Sequence, residues 1–162
     1  MPEIISGFAP NLVDYWERFL TSCSQTFQMF CIAGAITFVL GLAFGVLLTV
    51  TKKEGIYENS VIYFITNVIT NIFRSIPFII LLIFLIPFTR KLVGTSIGVK
   101  GAIVPLVFGA TPFFTLQVES ALASVEKGKI EAAKSMGTST LGLIFRVYLH
   151  EAVPALIRGT TI

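Results

Sequence analysis

Charge is scarce in this chain. Only 13% of its 162 residues are charged against 54% hydrophobic, and the mean hydropathy is +0.85. That leaves too little polar surface to cover a water-soluble globule of this length, so the class is an integral membrane protein with the lipid bilayer as its first partner. The net charge of +3 is small and scattered. No basic run with interleaved aromatics occurs, which argues against nucleic acid as a partner. His150 is the one histidine, so a metal site would lack its usual ligands, and Glu151 beside it falls on a different helical face. No metal or other cofactor is expected. Nothing of the form Gly-x-x-x-x-Gly-Lys-Ser/Thr is present, so the chain cannot cradle ATP phosphates by that device. No spacing suggests a nucleophile with a base and an orienting group. Glu119, Glu126 and Glu131 read as loop and helix-end charges, and no catalytic residue is expected.

The two cysteines, Cys23 and Cys31, fall in one expected helix, about 12 Å apart along its axis and beyond disulfide reach. Both read as buried free thiols. The opening residues MPEIISGFAPN lack the basic start and small-residue cleavage site of a cleavable signal peptide, so the first span is expected to serve as an uncleaved insertion signal.

Long apolar runs, by contrast, are plentiful. Residues 11 to 23 place Leu12, Trp16, Phe19 and Cys23 on one stripe, with Asp14, Glu17 and Arg18 elsewhere. An interfacial lead-in with Tyr15 and Trp16 near the headgroups fits this pattern, and so does an amphipathic helix packed on protein. From Thr26 to Val50 no residue is charged. That run exceeds the roughly 30 Å hydrocarbon thickness, and a first span over about 24–50 follows. Gly34, Gly41 and Gly45 share one of its faces and predict close helix packing there.

A second span over about 57–88 contains two apolar stretches, 61–73 and 76–88, each too short to cross alone. One tilted helix bent near Pro77 is predicted. Asn67, Asn71 and Arg74 lie on a common face of it. An arginine near the bilayer centre costs about 2.5–3.5 kcal/mol on insertion scales, so Arg74 is expected to face protein, water or a partner subunit. Two readings stay open: the stripe lines the translocation path or a subunit interface, or Arg74 snorkels or satisfies carbonyls freed around Pro77. A third span over about 99–120 carries Pro105, Gly109 and Pro112, which predict local bends. A fourth starts from about 146. Arg158 lies within it and Ile162 falls in its middle, so the chain is expected to be a C-terminally truncated piece of a single membrane-spanning domain over 1–162.

Between the third and fourth spans lies the loop 121–145. With the amino terminus outside, Lys52, Lys53, Lys127, Lys129, Lys134 and Arg146 share one side, against Arg18, Arg90, Lys91 and Lys100 on the other. The positive-inside rule makes the first side cytoplasmic. There, KIEAAKSMG (Lys129 to Gly137) predicts a short polar helix closed by Gly137 in the left-handed C′ position, with Thr138 or Ser139 capping the next helix through LGLIFRVYL. Such a knob is also compatible with an ordinary cytoplasmic loop.

Glu131-Ala132-Ala133, then Gly137, then Val147 and Leu149 resemble the EAA loop of ABC-importer permease subunits, in which Glu-Ala-Ala is followed by a glycine and a later Ile-x-Leu-Pro. Val147 stands for that isoleucine and His150 for the proline, with Pro154 four residues on. The stretch NIFRSIPFIILLIFLIPFTRKLVGTSIG (Asn71 to Gly98) with AIVPL (Ala102 to Leu106) is most similar to the bacterial methionine-uptake permeases. The resemblance covers about Phe27 to Ile162. It implies an all-α polytopic fold, with three complete spans and the start of a fourth, in the bacterial inner membrane. It also implies a permease homodimer, a cytoplasmic ABC ATPase docked on the helix at Glu131 to Gly137, and an extracytoplasmic substrate-binding lipoprotein that delivers amino acid. Alternatives are a permease for another amino acid or a small peptide, or a non-transporting scaffold that recruits a cytoplasmic partner. An exposed ion pair from Glu131 is worth at most about 1 kcal/mol, whereas moving an equilibrium from 1:99 to 99:1 needs about 5.5 kcal/mol. Coupling is therefore expected to rest on shape, with Ala132 and Ala133 allowing close approach and Gly137 fixing the corner.

Overall fold

The computed structural model describes residues 15–160. Leu12 and Asp14 of the lead-in, the opening residues and Ile162 lie outside them. Among the described residues every regular element is helical. Helix α1 (Trp16–Thr51) has 36 residues, about 54 Å at the usual rise, so the lead-in from Trp16 onward and the first span form one continuous rod. It ends where Lys52 turns extended, and Glu54 adopts a positive φ of 65° in the turn that follows. Asn59 then caps α2 (Ser60–Ser75), its side chain accepting from the Val61 and Ile62 N–H groups at 3.2 and 3.1 Å.

Helix α3 (Phe78–Val93) follows after a break at Ile76 and Pro77. The pair is bent by 109°, so the bend expected near Pro77 is present, but it separates two helices instead of curving one. The cause is local: proline lacks an N–H and its ring pushes the preceding residue out of the helical region, and Ile76 is extended. Pro105 and Pro112 behave differently. Helix α4 runs unbroken through both from Gly98 to Ala123, with each proline buried. After α4 come α5 (Lys127–Ser135), a single turn α6 (Thr140–Gly142), a π-helical segment (Leu143–Tyr148) and α7 (Leu149–Thr160).

Helices α1 and α4 make the core, and they run in the same direction. A Cβ added at Gly41 would meet Phe114 Cδ1 at 2.5 Å, and one added at Gly45 would meet Val118 Cβ at 2.5 Å. The same four-residue step on both helices keeps them in register along this stretch. Around it Leu48, Thr49, Val118 and Leu122 are fully buried, and the Thr49 hydroxyl donates to the Gly45 carbonyl at 2.9 Å. Gly34 departs from expectation: a Cβ there would meet nothing within 4 Å, so close approach is confined to the later half of α1. Cys23 and Cys31 are exposed rather than buried, because they lie on the first half of α1, outside that zone. Exposed Phe27, Phe30, Ile79 and Phe84 mark further surface for lipid or other helices. Helices α1 and α4 and the stretch 140–159 are long and apolar enough to cross a membrane, and the bent α2–α3 pair makes up to four.

Candidate functional site

The protruding corner begins where α4 ends. Val118, Ala121, Leu122 and Val125 form a buried cluster with Tyr148 and Ala152, so the foot of α4 is fixed to the π segment and α7. Helix α5 starts at Lys127, two residues before the expected start, and packs on the π segment.

Its end is set by Gly137 with φ +75°. The Gly137 N–H donates to the Lys134 carbonyl at 2.9 Å and the Thr138 N–H to the Ala133 carbonyl at 3.1 Å. These are the two bonds of a Schellman closure, which satisfies carbonyls that the helix end would leave free. Ser139 then caps the next turn by accepting from the Gly142 N–H at 3.3 Å. Polar helix, glycine corner and capped second helix are thus all present. The π segment was not foreseen; one wider turn leaves no signature in residue pattern.

The four residues expected to meet a partner together are divided among faces of the corner. Ala132 and Met136 are on the outside, Met136 being 78% exposed. Ala133 is 6% exposed and faces this chain's own interior, so it spaces α5 from its support rather than from a partner. Glu131 joins Lys127, Ile130 and Lys134 on a third face, lining a cleft toward the end of α1. Met136, Leu141 and Phe145 are exposed apolar residues at this corner that the Glu-Ala-Ala triplet does not signal.

Two ion pairs clip the corner in place. Lys127 Nζ sits 3.0 Å from Glu54 Oε2, and Lys129 pairs with Glu151 of α7. The Lys127 hydrogen bond and charge hold the Glu54 carboxyl below its ordinary range, and Glu54 raises Lys127 in turn. Because Glu54 is depressed in the folded chain, this clip is intact above the ordinary carboxylate range and is lost as pH falls through the lowered value. The clip is solvent-exposed and screened by salt, so it orients the corner more than it stabilises it.

On α2 the second group of expected residues lines two adjoining hollows. Asn71 Nδ2 donates to the Asn67 carbonyl at 2.8 Å and to Asn67 Oδ1 at 2.7 Å, and both line an open hollow with Ser75. Arg74 is exposed, beside a small cavity of about 280 Å³ at the Pro77 break; it makes no hydrogen bond or ion pair among the described residues. A larger apolar cavity of about 380 Å³ between α1, α2 and α4 involves none of the three. Among the described residues no group of three His, Cys, Asp or Glu side chains could hold a metal ion.

Fold and corner together define an all-helical, multi-pass membrane protein that presents a capped helical corner at one surface. The chain belongs to the family of binding-protein-dependent transport system inner membrane components, which matches residues 41–162, and is accordingly a multi-pass component of a bacterial inner membrane. It is 50% identical over 138 residues to the D-methionine transport system permease protein MetI of Yersinia pestis, covering 85% of this chain and 64% of that protein. It is 49% identical over 138 residues to the protein of the same name from Escherichia coli K12, with the same coverage. Among solved structures it is similar to a chain of the MetNI methionine ABC transporter in an inward-facing conformation, with a TM-score of 0.81 and 45% identity over 86% of this chain and 66% of that one. The chain thus spans 64% of the length of these two curated relatives.

Proposed function

We propose that the chain is the membrane subunit of an ABC importer for methionine. It works as a homodimer, receives substrate from an extracytoplasmic binding lipoprotein and draws energy from a cytoplasmic ATPase seated on the α5–α6 corner. The observation that carries this reading is a corner locked by a Schellman closure at Gly137 in a chain 50% identical to D-methionine permeases. The chain itself is no enzyme; hydrolysis belongs to the ATPase. Ala132 and Met136 supply a small and an apolar contact on the outward face, and movement of the corner passes into α4 through Leu122 and Tyr148.

Methionine uptake into proteoliposomes holding the membrane protein, its ATPase and its binding protein tests the proposal. ATP-dependent accumulation is expected. Partner binding without accumulation would make the chain a scaffold, and faster uptake of another amino acid would move the substrate assignment. Met136→Asp is expected to reduce ATPase co-purification about tenfold, while Glu131→Gln, facing the cleft, changes it less than twofold. The reverse order would place docking on the cleft face.

We also infer that the Asn67–Asn71 face and Arg74 border the translocation path or the subunit interface, since uncovered polar groups on a spanning helix are costly against lipid. Arg74→Ala should then lower uptake or dimer yield, and unchanged values for both would assign Arg74 a snorkelling role.

A further inference from the structure

The cleft beside α5 carries a charge pattern that the coupling role does not use. It encloses about 420 Å³ between the end of α1 and α5. Lys52 and Lys53 enter it from the turn after α1, and Lys127 and Lys134 from α5, against two carboxylates, Glu54 and Glu131. Four cations against two anions leave an excess of two positive charges. Lys127 is already paired with Glu54. Lys52, Lys53 and Lys134 have no ion pair among the described residues. Apolar Leu122, Val125 and Ile130 also line it, so the site joins ammonium groups to an apolar wall. Lys52 also lies two residues beyond the uncharged run from Thr26 to Val50, which puts the cleft near headgroup level.

We propose that this cleft binds the phosphate of an anionic phospholipid headgroup from the cytoplasmic leaflet. Lysine ammoniums recognise a phosphate ester as point charges, and basic pockets between helices at the cytoplasmic surface are suited to acidic headgroups. Soluble phosphate offers the same chemistry, but the apolar wall and the depth at the membrane surface select the lipid. The site adjoins the outward face of α5 without including Ala132 or Met136, so lipid and ATPase can be held together. Only the choice of leaflet rests on the cytoplasmic orientation; the site does not depend on which solute is transported.

Lipid retention by the purified protein, read by native mass spectrometry, tests the assignment. The probes are phosphatidylglycerol, phosphatidylcholine and inorganic phosphate. Phosphatidylglycerol is expected to be retained over phosphatidylcholine and to resist millimolar inorganic phosphate. Each of K52Q, K53Q and K134Q should weaken retention about fivefold, equivalent to about 1 kcal/mol per lysine near the surface. Glu131→Gln should strengthen it, a gain that misfolding does not mimic. K91Q and K100Q, on the other side of the membrane, should change nothing. Equal retention of phosphatidylcholine, displacement by inorganic phosphate, weakening by E131Q, or an equal loss in the K91Q/K100Q control would each overturn the proposal.

Discussion

Gly45→Val is expected to abolish recovery of folded protein, whereas Gly34→Val on the same helix leaves it unchanged. At Gly45 even the first added carbon would stand 2.5 Å from Val118 Cβ and 2.9 Å from the Thr115 carbonyl oxygen. The first clash has no rotamer escape because it involves a Cβ, and the second is with backbone. Helices α1 and α4 must therefore move apart, loosening Leu48, Thr49 and Leu122, which are now fully buried or nearly so. Overpacking of a core costs about 1–3 kcal/mol, occasionally more. In a bilayer the loss is harder to recover, since lipid tails are as apolar as the separated side chains and association rests on close packing. Thermal unfolding followed by size-exclusion chromatography in detergent checks this. Equal melting of the Gly45 and Gly34 variants would mean that the α1–α4 contact does not hold the fold.

The second large effect is expected at Gly137. Valine there should cut ATPase co-purification and methionine uptake at least tenfold while the membrane core stays folded. A Cβ at this position meets nothing within 4 Å, so the effect is one of backbone conformation and not of contact. An L-residue held at φ +75° is strained by about 1–2 kcal/mol, and a β-branched one by more. Relief means opening the Gly137–Lys134 and Thr138–Ala133 hydrogen bonds and turning α6 away. Asparagine tolerates the left-handed region, so Gly137→Asn is expected to retain most activity. If asparagine proves as damaging as valine, the side chain and not the φ angle is what the site excludes.

These two glycines also indicate what a sequence can disclose. The first span was legible because an uncharged run of that length has few other uses, and Gly137 because a glycine after a polar helix has a specific closing role. The all-helical, membrane-spanning class followed from the same patterns. The division of Ala132 from Ala133 was not legible. Adjacent helical residues point about 100° apart, and which of them faces inward depends on where the π segment lies, a tertiary fact. The prolines teach the same lesson. The chain breaks at Pro77, while α4 continues through buried Pro105 and Pro112 and α3 through exposed Pro87. Neither residue type nor exposure alone tells which one yields. Residue type alone points Cys23 and Cys31 to the interior, but among the described residues no helix covers them.

The in-register contact of α1 with α4 has a mechanical meaning. Two parallel rods that interlock at successive turns cannot slide without lifting Gly41 over Phe114 and Gly45 over Val118 together, so they behave as one stiff shaft. Torque applied at the corner therefore turns α1 along with α4. The compliant joint is the break at Ile76 and Pro77, where, among the described residues, no backbone hydrogen bond joins α2 to α3.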